Sequence, residues 1–430
     1  MILRDPVHGL VSFETDEESL LPALLESAEV QRLRRIRQLG LTSLAYPGAD
    51  HTRFSHAIGA AHVMTRFIAR IRALPDALPE TQRLTRERAR DALAAALLHD
   101  LGHGPFSHLF EEALPQGPRH EEWTSRILLD DRTEVGRRLR ELDPGMPRRV
   151  AELVHGRHEL TFLAHAVSGT FDVDRCDYLL RDAYSTGVGY GSFDLDWLLR
   201  SLRLGAASRP GEAPPLAIDG AKGLPAIESF ILARLFMFQQ VYFHKASRAS
   251  EWMLARVLER VGELVVDGAA VPNVPEAIAA IARDGDASLG SYLELDDNLL
   301  MQCLAAWREA REPVLRDLSR RLYARRLFKT YELYGDQLAP AARAQALERA
   351  TEVARRAGLD PRVYVGLDQA SDVPFDDTHE PLTVIFPTGA PRKPGDVSFL
   401  LGRLRGERLE RVRLIFAPEL RDDIVRAVEA

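Results

Sequence analysis

Histidine and aspartate are concentrated in one short stretch of this chain, HDLGHGPFSH at residues 99–108. It places His99, Asp100, His103 and His108 within ten positions, at the expected end of a helix and in the loop that follows. Imidazole nitrogens and carboxylate oxygens are ligands for borderline divalent ions, and adjacent His and Asp at a helix end can turn toward one point. The dipeptide alone is weak support, because a chain with 13 histidines contains such pairs by accident.

Two further residues complete a ligand set. His56 lies in TRFSHAIGAAHVM and Asp174 lies in FDVDRCDYLLRD, and each stands at the expected start of a helix from which it can project inward. The ordered set His56, His99, Asp100 and Asp174 therefore predicts a divalent metal site.

Helices must position these residues. Apolar residues recur at helical spacing from Glu18 to about residue 40, at 55–74 and at 85–99, where Gly102, Gly104 and Pro105 end the last pattern. Further helical patterns cover 119–142, 146–168, 172–183, 224–263, 273–284 and 297–327.

The pattern changes in two places. A hairpin-like interruption is predicted at about 200–219. Beyond residue 360 the short β-branched runs RVYVGL, LTVIFP, VSFLLG and RVRLIFAP predict strands, and PELRDDIVRAVEA predicts a closing helix. We therefore expect a mostly α-helical body over residues 1–335 and a small C-terminal α+β region over 336–430.

Composition narrows the class of protein. Hydrophobic residues make up 46% of the chain and charged residues 28%, as in a globular protein. Two cysteines, no signal-like N-terminus and no membrane-length apolar run predict a soluble cytoplasmic protein without membrane association. A net charge of −7 argues against nucleic-acid binding.

The ordered ligand set resembles the signature of the HD phosphohydrolase superfamily. The chain further resembles the deoxynucleoside triphosphate triphosphohydrolases, in the branch of the sterile-alpha-motif-and-HD-domain protein, here without the sterile alpha motif. The resemblance covers about residues 4–330 and is carried, in the family's order, by RDPVHG, QRLRRIRQLG, YPGADHTRFSH, HDLGHGPFSH, FDVDRCDYLLRD and VYFHKASR.

This resemblance implies an HD-domain helical body and a reaction. Attack at the α-phosphorus would give a deoxynucleoside and inorganic triphosphate, as in dGTP catabolism. Iron, manganese, zinc or nickel would occupy the HD site, with magnesium as a possible second ion. The family also implies a homodimer or homotetramer and a nucleotide activator.

The same resemblance implies roles for individual residues. His108, with His120 and Glu111 as neighbours, would donate a proton to the leaving 5′ oxygen. The implied substrate contacts are Arg53, His103, Arg175 and Arg234 on the triphosphate, Gln38, Tyr178 and Asp182 on the sugar 3′-hydroxyl, and Leu39 and Tyr242 against the 2′ carbon. The implied activator contacts are Asp5, Gln31 and Arg34.

Simpler structural roles compete with several of these. His120 could be a helix cap or a surface residue, and Leu39 and Tyr242 could be ordinary core residues. His62 is expected to pack on another helical face, and His51, His155 and His158 receive no role.

The chain also departs from the family. The branch usually has His and Gln where this chain has Phe238 and Phe243, so the base preference is open. Leu10 and Glu26 depart from the usual residues of the activator site. Two alternatives remain: another HD phosphohydrolase, acting on nucleoside monophosphates, cyclic dinucleotides or guanosine polyphosphates, and a nucleotide-sensing module without turnover.

Overall fold

The computed structural model describes residues 1–74, 78–205, 213–378, 382–388 and 390–429. Helices dominate these residues, which confirms the predicted mostly α fold class. The helices up to residue 201 are α1 (Leu20–Leu25), α2 (Ala28–Arg32), α3 (Arg53–Arg72), α4 (Arg86–Leu98), α5 (His108–Ala113), α6 (His120–Leu129), α7 (Glu134–Leu142), α8 (Met146–Val154), α9 (Thr161–Val167), α10 (Val173–Thr186) and α11 (Leu195–Ser201).

The helices after residue 201 complete the body and cover the C-terminal region. They are α12 (Leu224–Met237), α13 (Lys245–Val266), α14 (Glu276–Asp284), α15 (Leu289–Leu293), α16 (Asp297–Trp307), α17 (Pro313–Tyr323), α18 (Pro340–Arg356), α19 (Pro361–Tyr364), α20 (Pro394–Val397), α21 (Phe399–Leu404) and α22 (Arg421–Glu429). Among the helices described here, none is long and apolar enough to cross a bilayer.

The long predicted helices are divided by caps. The segment 119–142 becomes α6 and α7 because the Thr133 hydroxyl accepts a hydrogen bond from the Gly136 amide at 3.0 Å and starts a new helix. The segment 297–327 becomes α16 and α17, with Glu312 as the N-cap and Pro313 at the first position of α17. The segment 146–168 also becomes two helices, α8 and α9, and the chain leaves α8 at Gly156, which has a positive φ of 67°.

The segment 224–263 is also interrupted. Helix α12 passes at Met237 into a π-helical turn over Phe238–Tyr242, and α13 begins at Lys245 with His244 as its N-cap. A π-helical turn widens a helix locally and is often found at functional sites. Tyr242 is the last residue of this turn.

Short strands form three small sheets. They are β1 (Ile2–Asp5) with β2 (Gly9–Ser12); β3 (Leu202–Leu204) with β4 (Leu216–Asp219) and β7 (Thr383–Ile385); and β5 (Lys329–Glu332) and β6 (Val365–Asp372) on either side of β8 (Leu409–Phe416). The antiparallel register of β3 and β4, Leu202 opposite Ile218, confirms the predicted hairpin. Residues 206–212 of its connection lie outside the described residues.

The C-terminal region agrees with prediction except at two segments, the first being the start of RVYVGL, where Pro361–Tyr364 forms helix α19 and the strand begins only at Val365. Otherwise strands β6, β7 and β8 and helix α22 form where the sequence predicts them, but the strand predicted for VSFLLG, the second segment, is wrong, because residues 399–404 form helix α21. The Ser398 hydroxyl accepts a hydrogen bond from the Leu401 amide at 3.0 Å, and this cap outweighs the β propensity of the run. Strand β4 pairs in parallel with β7, so this region joins a sheet of the body.

The core of the body forms where α3 packs against α4 and α10. Small buried residues line these contacts, including Ala57, Ala60 and Ala61 on α3 and the run 94–96 on α4. Small side chains let the helix axes approach closely, while Met64 and Phe67 fill the space between them. Burying a side chain of the size of Phe67 stabilises the fold by roughly 1.5–3 kcal/mol. This packing fixes the helix ends that carry the candidate site.

Candidate active site

Three helices bring a histidine or an aspartate to one point. His56 lies in the first turn of α3, His99 caps the C-terminus of α4, and Asp174 is the second residue of α10. The Nε2 atom of His56 lies 2.9 Å from Asp174 Oδ1 and 3.3 Å from His99 Nε2. The Nε2 atom of His99 lies 3.5 Å from the same Asp174 oxygen. Three ligand atoms therefore converge.

Asp100 lies beside this group. Its Oδ1 is 3.4 Å from His99 Nε2 and its Oδ2 is 3.8 Å from His56 Nε2. Arg53, buried in the first turn of α3, forms a short hydrogen bond to Asp100 Oδ2. Burial raises the pKa of the Asp100 carboxyl, but the nearby Arg53 and His99 hold it well below its usual range. The ionised carboxylate is the form that binds a metal.

Three of the four residues, His56, His99 and Asp174, have the spacing of ligands on one divalent ion, and Asp100 lies next to them. Ligand atoms at about 2.0–2.2 Å from one ion lie roughly 3–4 Å from one another. The separations among His56, His99 and Asp174 run from 2.9 to 3.5 Å, and Asp100 lies within 3.8 Å. Two imidazoles and two carboxylates form a mixed nitrogen and oxygen donor set that suits first-row transition metals. The predicted ligands are thus brought together by tertiary packing.

A network behind His56 orients its ring. The Nδ1 atom of His56 lies 2.7 Å from Asp177 Oδ2, and the Arg181 guanidinium donates to both Asp177 oxygens at 2.9 and 2.8 Å. His8 Nε2 lies 2.6 Å from Asp177 Oδ1, and Arg181 also donates to Asp5 Oδ2 at 2.8 Å. A carboxylate behind a ligating histidine fixes its tautomer and its direction. Asp177 takes this position here.

Sequence reasoning missed Asp177, Arg181 and His8. A signal was present, because Asp174, Asp177 and Arg181 are spaced so that they share one face of α10. The close approach also explains a glycine: a Cβ atom at Gly59 would lie 1.8 Å from Asp177 Oδ1. Any larger residue at this position of α3 would displace the carboxylate.

Charge is balanced across this network. Burial lowers the pKa of His56, but its hydrogen bonds to Asp174 and Asp177 outweigh burial and raise that pKa to about 10. Burial raises the pKa of Asp177, but Arg181 and His56 hold it well below its usual range. The fully buried Asp177 is therefore an ionised group with three partners.

A second cluster adjoins Asp100. His103 Nε2 lies 3.3 Å from Asp100 Oδ1, and the His103 ring stacks on the His120 ring with centroids 3.9 Å apart. The Glu111 Oε1 atom lies 2.8 Å from His120 Nδ1 and accepts a hydrogen bond from the His120 amide at 3.2 Å. The His108 ring lies 5.0 Å from that of His103 and 5.1 Å from that of His120. The structure thus groups the predicted catalytic residues.

The loop before His108 has an unusual backbone. Phe106 and Ser107 both have positive φ, 55° and 61°, which L side chains rarely adopt. The Asp297 carboxylate accepts the Phe106 amide at 2.8 Å, and the Ser107 hydroxyl accepts from Arg53 Nε at 2.9 Å. These contacts hold a conformation that costs on the order of 1–3 kcal/mol per residue. The conformation sets the start of α5 and the position of His108.

A cavity of about 310 Å³ opens beside His108. The predicted sugar contacts Gln38, Leu39 and Tyr242 line it together with Phe243. The Oε1 atom of Gln38 is buried and has no hydrogen-bond partner among the described residues. An unpaired buried polar atom costs about 1–3 kcal/mol, so it is a position where a ligand donor would be favoured. Leu39 and Tyr242 also pack against the core. Each residue therefore has the core contacts of the simpler structural role as well as a place in the cavity lining.

Asp182 on α10 lies next to this cavity and contacts residues of two other segments. Its Oδ2 accepts a hydrogen bond from the Tyr242 hydroxyl at 2.8 Å, and its Oδ1 lies 2.7 Å from His51 Nε2. The Tyr178 ring lies 6.4 Å from the Tyr242 ring and 6.5 Å from the His56 ring. The predicted sugar contacts are therefore neighbours. His51, which received no role from the sequence, orients Asp182.

Two predicted triphosphate contacts are engaged elsewhere in the fold. Arg234 donates to Asp372 Oδ1 at 2.8 Å and to the carbonyls of Val373 and Pro374 at 3.2 and 2.7 Å. Arg175 forms short hydrogen bonds with Asp172 and a neighbouring carbonyl. Both cations would have to leave these partners to reach a phosphate.

The predicted activator residues lie in two places. Asp5 is buried and pairs with Arg181 behind the metal ligands. Gln31 accepts from Arg34 Nε at 2.8 Å, and the Arg34 guanidinium lies 3.6 Å from the Phe54 ring centroid.

The remaining flagged residues have structural surroundings. His62 packs 5.2 Å from the His8 ring, His155 contacts Ser125, and His158 accepts from the Leu160 amide. Leu10 and Glu26, the two departures at the activator site, are exposed.

Comparison with known proteins agrees with this site. Residues 53–182 match the HD domain, and residues 194–271 match the HD associated region. The first match begins at Arg53 and ends at Asp182, so it contains all four predicted ligands.

Individual similar proteins match a larger part of the chain than the two family models do. The uncharacterized protein YwfO of Bacillus subtilis is 34% identical, over 100% of this chain and 95% of its own length. A deoxynucleoside triphosphate triphosphohydrolase SAMHD1 homolog of Dictyostelium discoideum is 34% identical over 59% of this chain, and this chain spans about half of its length, 48%. A phosphohydrolase from Bacteroides thetaiotaomicron superposes with a TM-score of 0.79 at 28% identity, over 97% of this chain and 99% of the other.

This chain therefore belongs to the HD phosphohydrolase family. It is a metal-dependent phosphohydrolase, with a cluster of His56, His99 and Asp174 that can hold a divalent ion.

Proposed function

We propose that this protein hydrolyses deoxynucleoside triphosphates to a deoxynucleoside and inorganic triphosphate. The position of His108 carries the proposal. It belongs to the histidine cluster next to Asp100, and it also lines the cavity that holds Gln38, Leu39 and Tyr242. A group that lies between the candidate metal ligands and this cavity is suited to act on a bond between a phosphate at the metal and a sugar in the cavity.

His56, His99, Asp100 and Asp174 would hold the divalent ion, and iron, manganese, zinc and nickel suit these donors. A bound divalent ion lowers the pKa of coordinated water toward about 7 and polarises a phosphoryl oxygen. Asp177 would keep the His56 ring aimed at the ion.

His108 would protonate the leaving 5′ oxygen. Burial, Arg53 and His120 all lower the pKa of the His108 imidazole in the free protein, while Glu111 opposes them. The negative triphosphate would add to the effect of Glu111 and favour the imidazolium needed for proton donation. His120, held by Glu111 and stacked on His103, would keep this arrangement in place.

Arg53 would neutralise charge on the triphosphate, and the His103 imidazole, whose pKa burial and Arg53 hold well below its usual range, would offer it a neutral hydrogen-bonding group. Arg53 is fixed by Asp100 and Ser107, and His103 lies next to Asp100 with its buried Nδ1 unpaired among the described residues. Groups already in position cost little reorganisation when charge develops on the phosphoryl oxygens. Arg175 and Arg234 would join by exchanging their present carboxylate partners for phosphate.

The deoxyribose would lie between Gln38 and Tyr242. The orphan Gln38 Oε1 would accept a hydrogen bond from the 3′-hydroxyl, and Asp182, held by Tyr242 and His51, would accept from the same side. Leu39 and the Tyr242 ring would leave no room for a 2′-hydroxyl.

Product analysis tests the reaction. The purified protein is incubated with each deoxynucleoside triphosphate and with all four, with manganese, iron or magnesium, in water enriched in ¹⁸O. We expect deoxynucleoside and triphosphate in equal amounts, with the label in the triphosphate and none in the deoxynucleoside, because water replaces the 5′ oxygen on phosphorus.

Other products would overturn the proposal. Monophosphate with diphosphate, or release of single phosphates, would mean another phosphohydrolase reaction. Tight binding without product under every metal would mean a nucleotide sensor. The His108→Ala variant should retain metal and lose about 10²–10⁴-fold in kcat, whereas His155→Ala, in an exposed position, should match the parent.

We further propose that a nucleotide activator binds in a second, basic pocket of about 320 Å³ at the start of α13. Its lining includes Lys245, Arg325, Lys329 and Arg421, and no carboxylate stands among the described residues that line it. In a chain of net charge −7 such a concentration of cations favours a polyphosphate. Asp5, Gln31 and Arg34 are not part of this lining.

A paired substitution tests the basic pocket. Lys245→Ala with Lys329→Ala should raise the nucleotide concentration needed for half-maximal activation by at least tenfold, whereas Lys222→Ala, outside the pocket, should leave it unchanged. Equal nucleotide dependence in all variants, or no activation in the parent, would refute this assignment.

A further inference from the structure

The cavity beside His108 extends beyond the proposed sugar contacts. Its lining also includes Phe243, Glu112, Arg248 and Glu251. A nucleotide whose triphosphate lies at the metal ligands and whose sugar lies at Tyr242 would direct its base toward these residues. This part of the cavity, called the base end below, consists of Phe243, Glu112, Arg248 and Glu251.

Three N–H groups of Arg248 are bonded to carboxylates. Its Nε and Nη2 donate to Asp368 Oδ1 on β6 at 3.0 and 2.7 Å, and its Nη1 donates to Glu251 Oε2 at 3.0 Å. The strand of the C-terminal region therefore anchors Arg248, and Arg248 in turn anchors Glu251 one helical turn along α13. The side-chain acceptors that a ligand would meet at the base end are carboxylate oxygens of Glu251 and Glu112.

We propose that Glu251, held by Arg248, is a specificity residue that selects bases carrying hydrogen-bond donors, guanine foremost, over thymine. This inference rests on the proposed function, because it assigns the base of the same substrate. Glu112 lines the same end and adds a second acceptor, and Phe243 supplies an apolar face for the ring.

Hydrogen-bond chemistry gives the order of preference. Guanine presents two adjacent donors, the ring N1–H and the 2-amino group, which match the two oxygens of a carboxylate. Adenine and cytosine present one amino group each. Thymine presents a single N–H between two carbonyl oxygens, which a carboxylate repels. A bidentate contact of this kind discriminates between bases by about 5-fold or more.

An internal competition assay tests the inference. All four deoxynucleoside triphosphates are mixed at equal concentration in one tube, and a second mixture contains dITP, which lacks the 2-amino group. Relative rates of consumption in one tube give ratios of kcat/KM even if the nucleotides also activate the protein. Assays at pH 8 keep Glu251 ionised, since burial raises its pKa to about 7.

The parent protein should consume dGTP at least 5-fold faster than dTTP and faster than dITP. Glu251→Gln should reduce both ratios at least 5-fold while dTTP hydrolysis persists. The matched control is Glu259→Gln. Glu259 forms an ion pair with Arg256 on the same helix, with the same spacing as Glu251 and Arg248, but it is not part of the cavity lining. The control should keep the parent ratios.

Each outcome is informative. Unchanged ratios in Glu251→Gln, or a parent without preference for dGTP over dTTP and dITP, would overturn the inference while leaving the reaction intact. Absence of triphosphate release from every nucleotide would instead overturn the proposed function. If Glu251→Gln fails to fold, as judged by thermal unfolding, Glu112→Gln in the same assay should still lower the dGTP to dTTP ratio, and an unchanged ratio there would count against the inference.

Discussion

The candidate metal ligands and the cavity beside His108 are built in different ways. His56, His99 and Asp174 sit at the ends of α3, α4 and α10, which pack on one another through small buried side chains. The cavity is assembled from the turn that carries Gln38 and Leu39, the π-helical turn that carries Tyr242, and one face of α13. The metal ligands therefore depend on helix packing, and the cavity depends on turns.

The residues that hold the candidate metal ligands in place also differ from those that hold the cavity. Behind His56 lies a buried, hydrogen-bonded network of Asp177, Arg181 and His8. The cavity is held in part by the C-terminal region, because Asp368 and Asp372 of β6 hold Arg248 and Arg234 on either side of the π-helical turn. Substitutions among the metal ligands should abolish the reaction, whereas substitutions around the cavity should change which nucleotide is used.

The largest effect is expected at the metal ligands. His99→Ala removes one of the converging imidazoles, so metal content should fall and kcat should drop by roughly 10³-fold or more. Metal per chain by elemental analysis and turnover by product analysis measure this. An exposed control, His155→Ala, should keep both. Full metal content with full activity in His99→Ala would refute the ligand assignment.

The next effect concerns the network behind His56. Asp177→Asn keeps the shape but removes the charge that fixes the His56 tautomer, so metal affinity should fall about 10–100-fold. Titration of the metal-depleted protein measures it, with Asp196→Asn as an exposed control that pairs with Arg66 on the surface. Equal affinity in both variants would mean that Asp177 only stabilises the fold.

At the cavity the expected change is one of selectivity. Leu39→Ala opens space near the proposed 2′ carbon, so the ratio of ribonucleotide to deoxyribonucleotide hydrolysis should rise about tenfold while metal content stays unchanged. Competition between GTP and dGTP in one tube measures the ratio. Leu142→Ala, on an exposed helix end, serves as the control. An unchanged ratio would leave Leu39 as a core residue only.

The smallest effect is on stability. Burial raises the pKa of Glu251 to about 7 from 4.5, although Arg248 opposes this, whereas Glu112 and Asp368 add to it. The folded state then binds more protons than the unfolded state between these two values, so the free energy of unfolding should fall as pH rises from 4.5 to 7. Glu251→Gln removes this dependence.

Chemical unfolding at pH 5 and pH 8 measures the contribution of Glu251. Relative to the parent, the free energy of unfolding of Glu251→Gln should be higher at pH 8 than at pH 5. The expected change is on the order of 1–3 kcal/mol. The exposed Glu309→Gln should give the same difference at both pH values. A pH-independent difference for Glu251→Gln would contradict the burial of an ionisable group at the base end.

The contrast between the two parts also explains where prediction from sequence was accurate. The helices α3, α4 and α10 begin and end within a few residues of their predicted bounds, because their apolar period and their caps are local signals. The strand predicted for VSFLLG was wrong because the Ser398 cap, a contact of one hydroxyl, overrode the β-branched composition. The role of Asp177 was missed because its partner His56 lies on another helix and contacts it only when α3 and α10 pack together, although the spacing to Arg181 on the same helix was visible in the sequence.

The sequence by itself determined the chemistry available to this protein: which helices form, which imidazoles and carboxylates stand at their ends, and the family to which the order of these residues belongs. Only the tertiary structure decided which groups meet. It placed Asp177 behind His56, bound Arg234 to the C-terminal strand, and brought Glu251 to the cavity of Leu39 and Tyr242. The physical reason is that periodicity and capping act within a few residues, whereas a polar group buried in the core must find its partner across the whole chain.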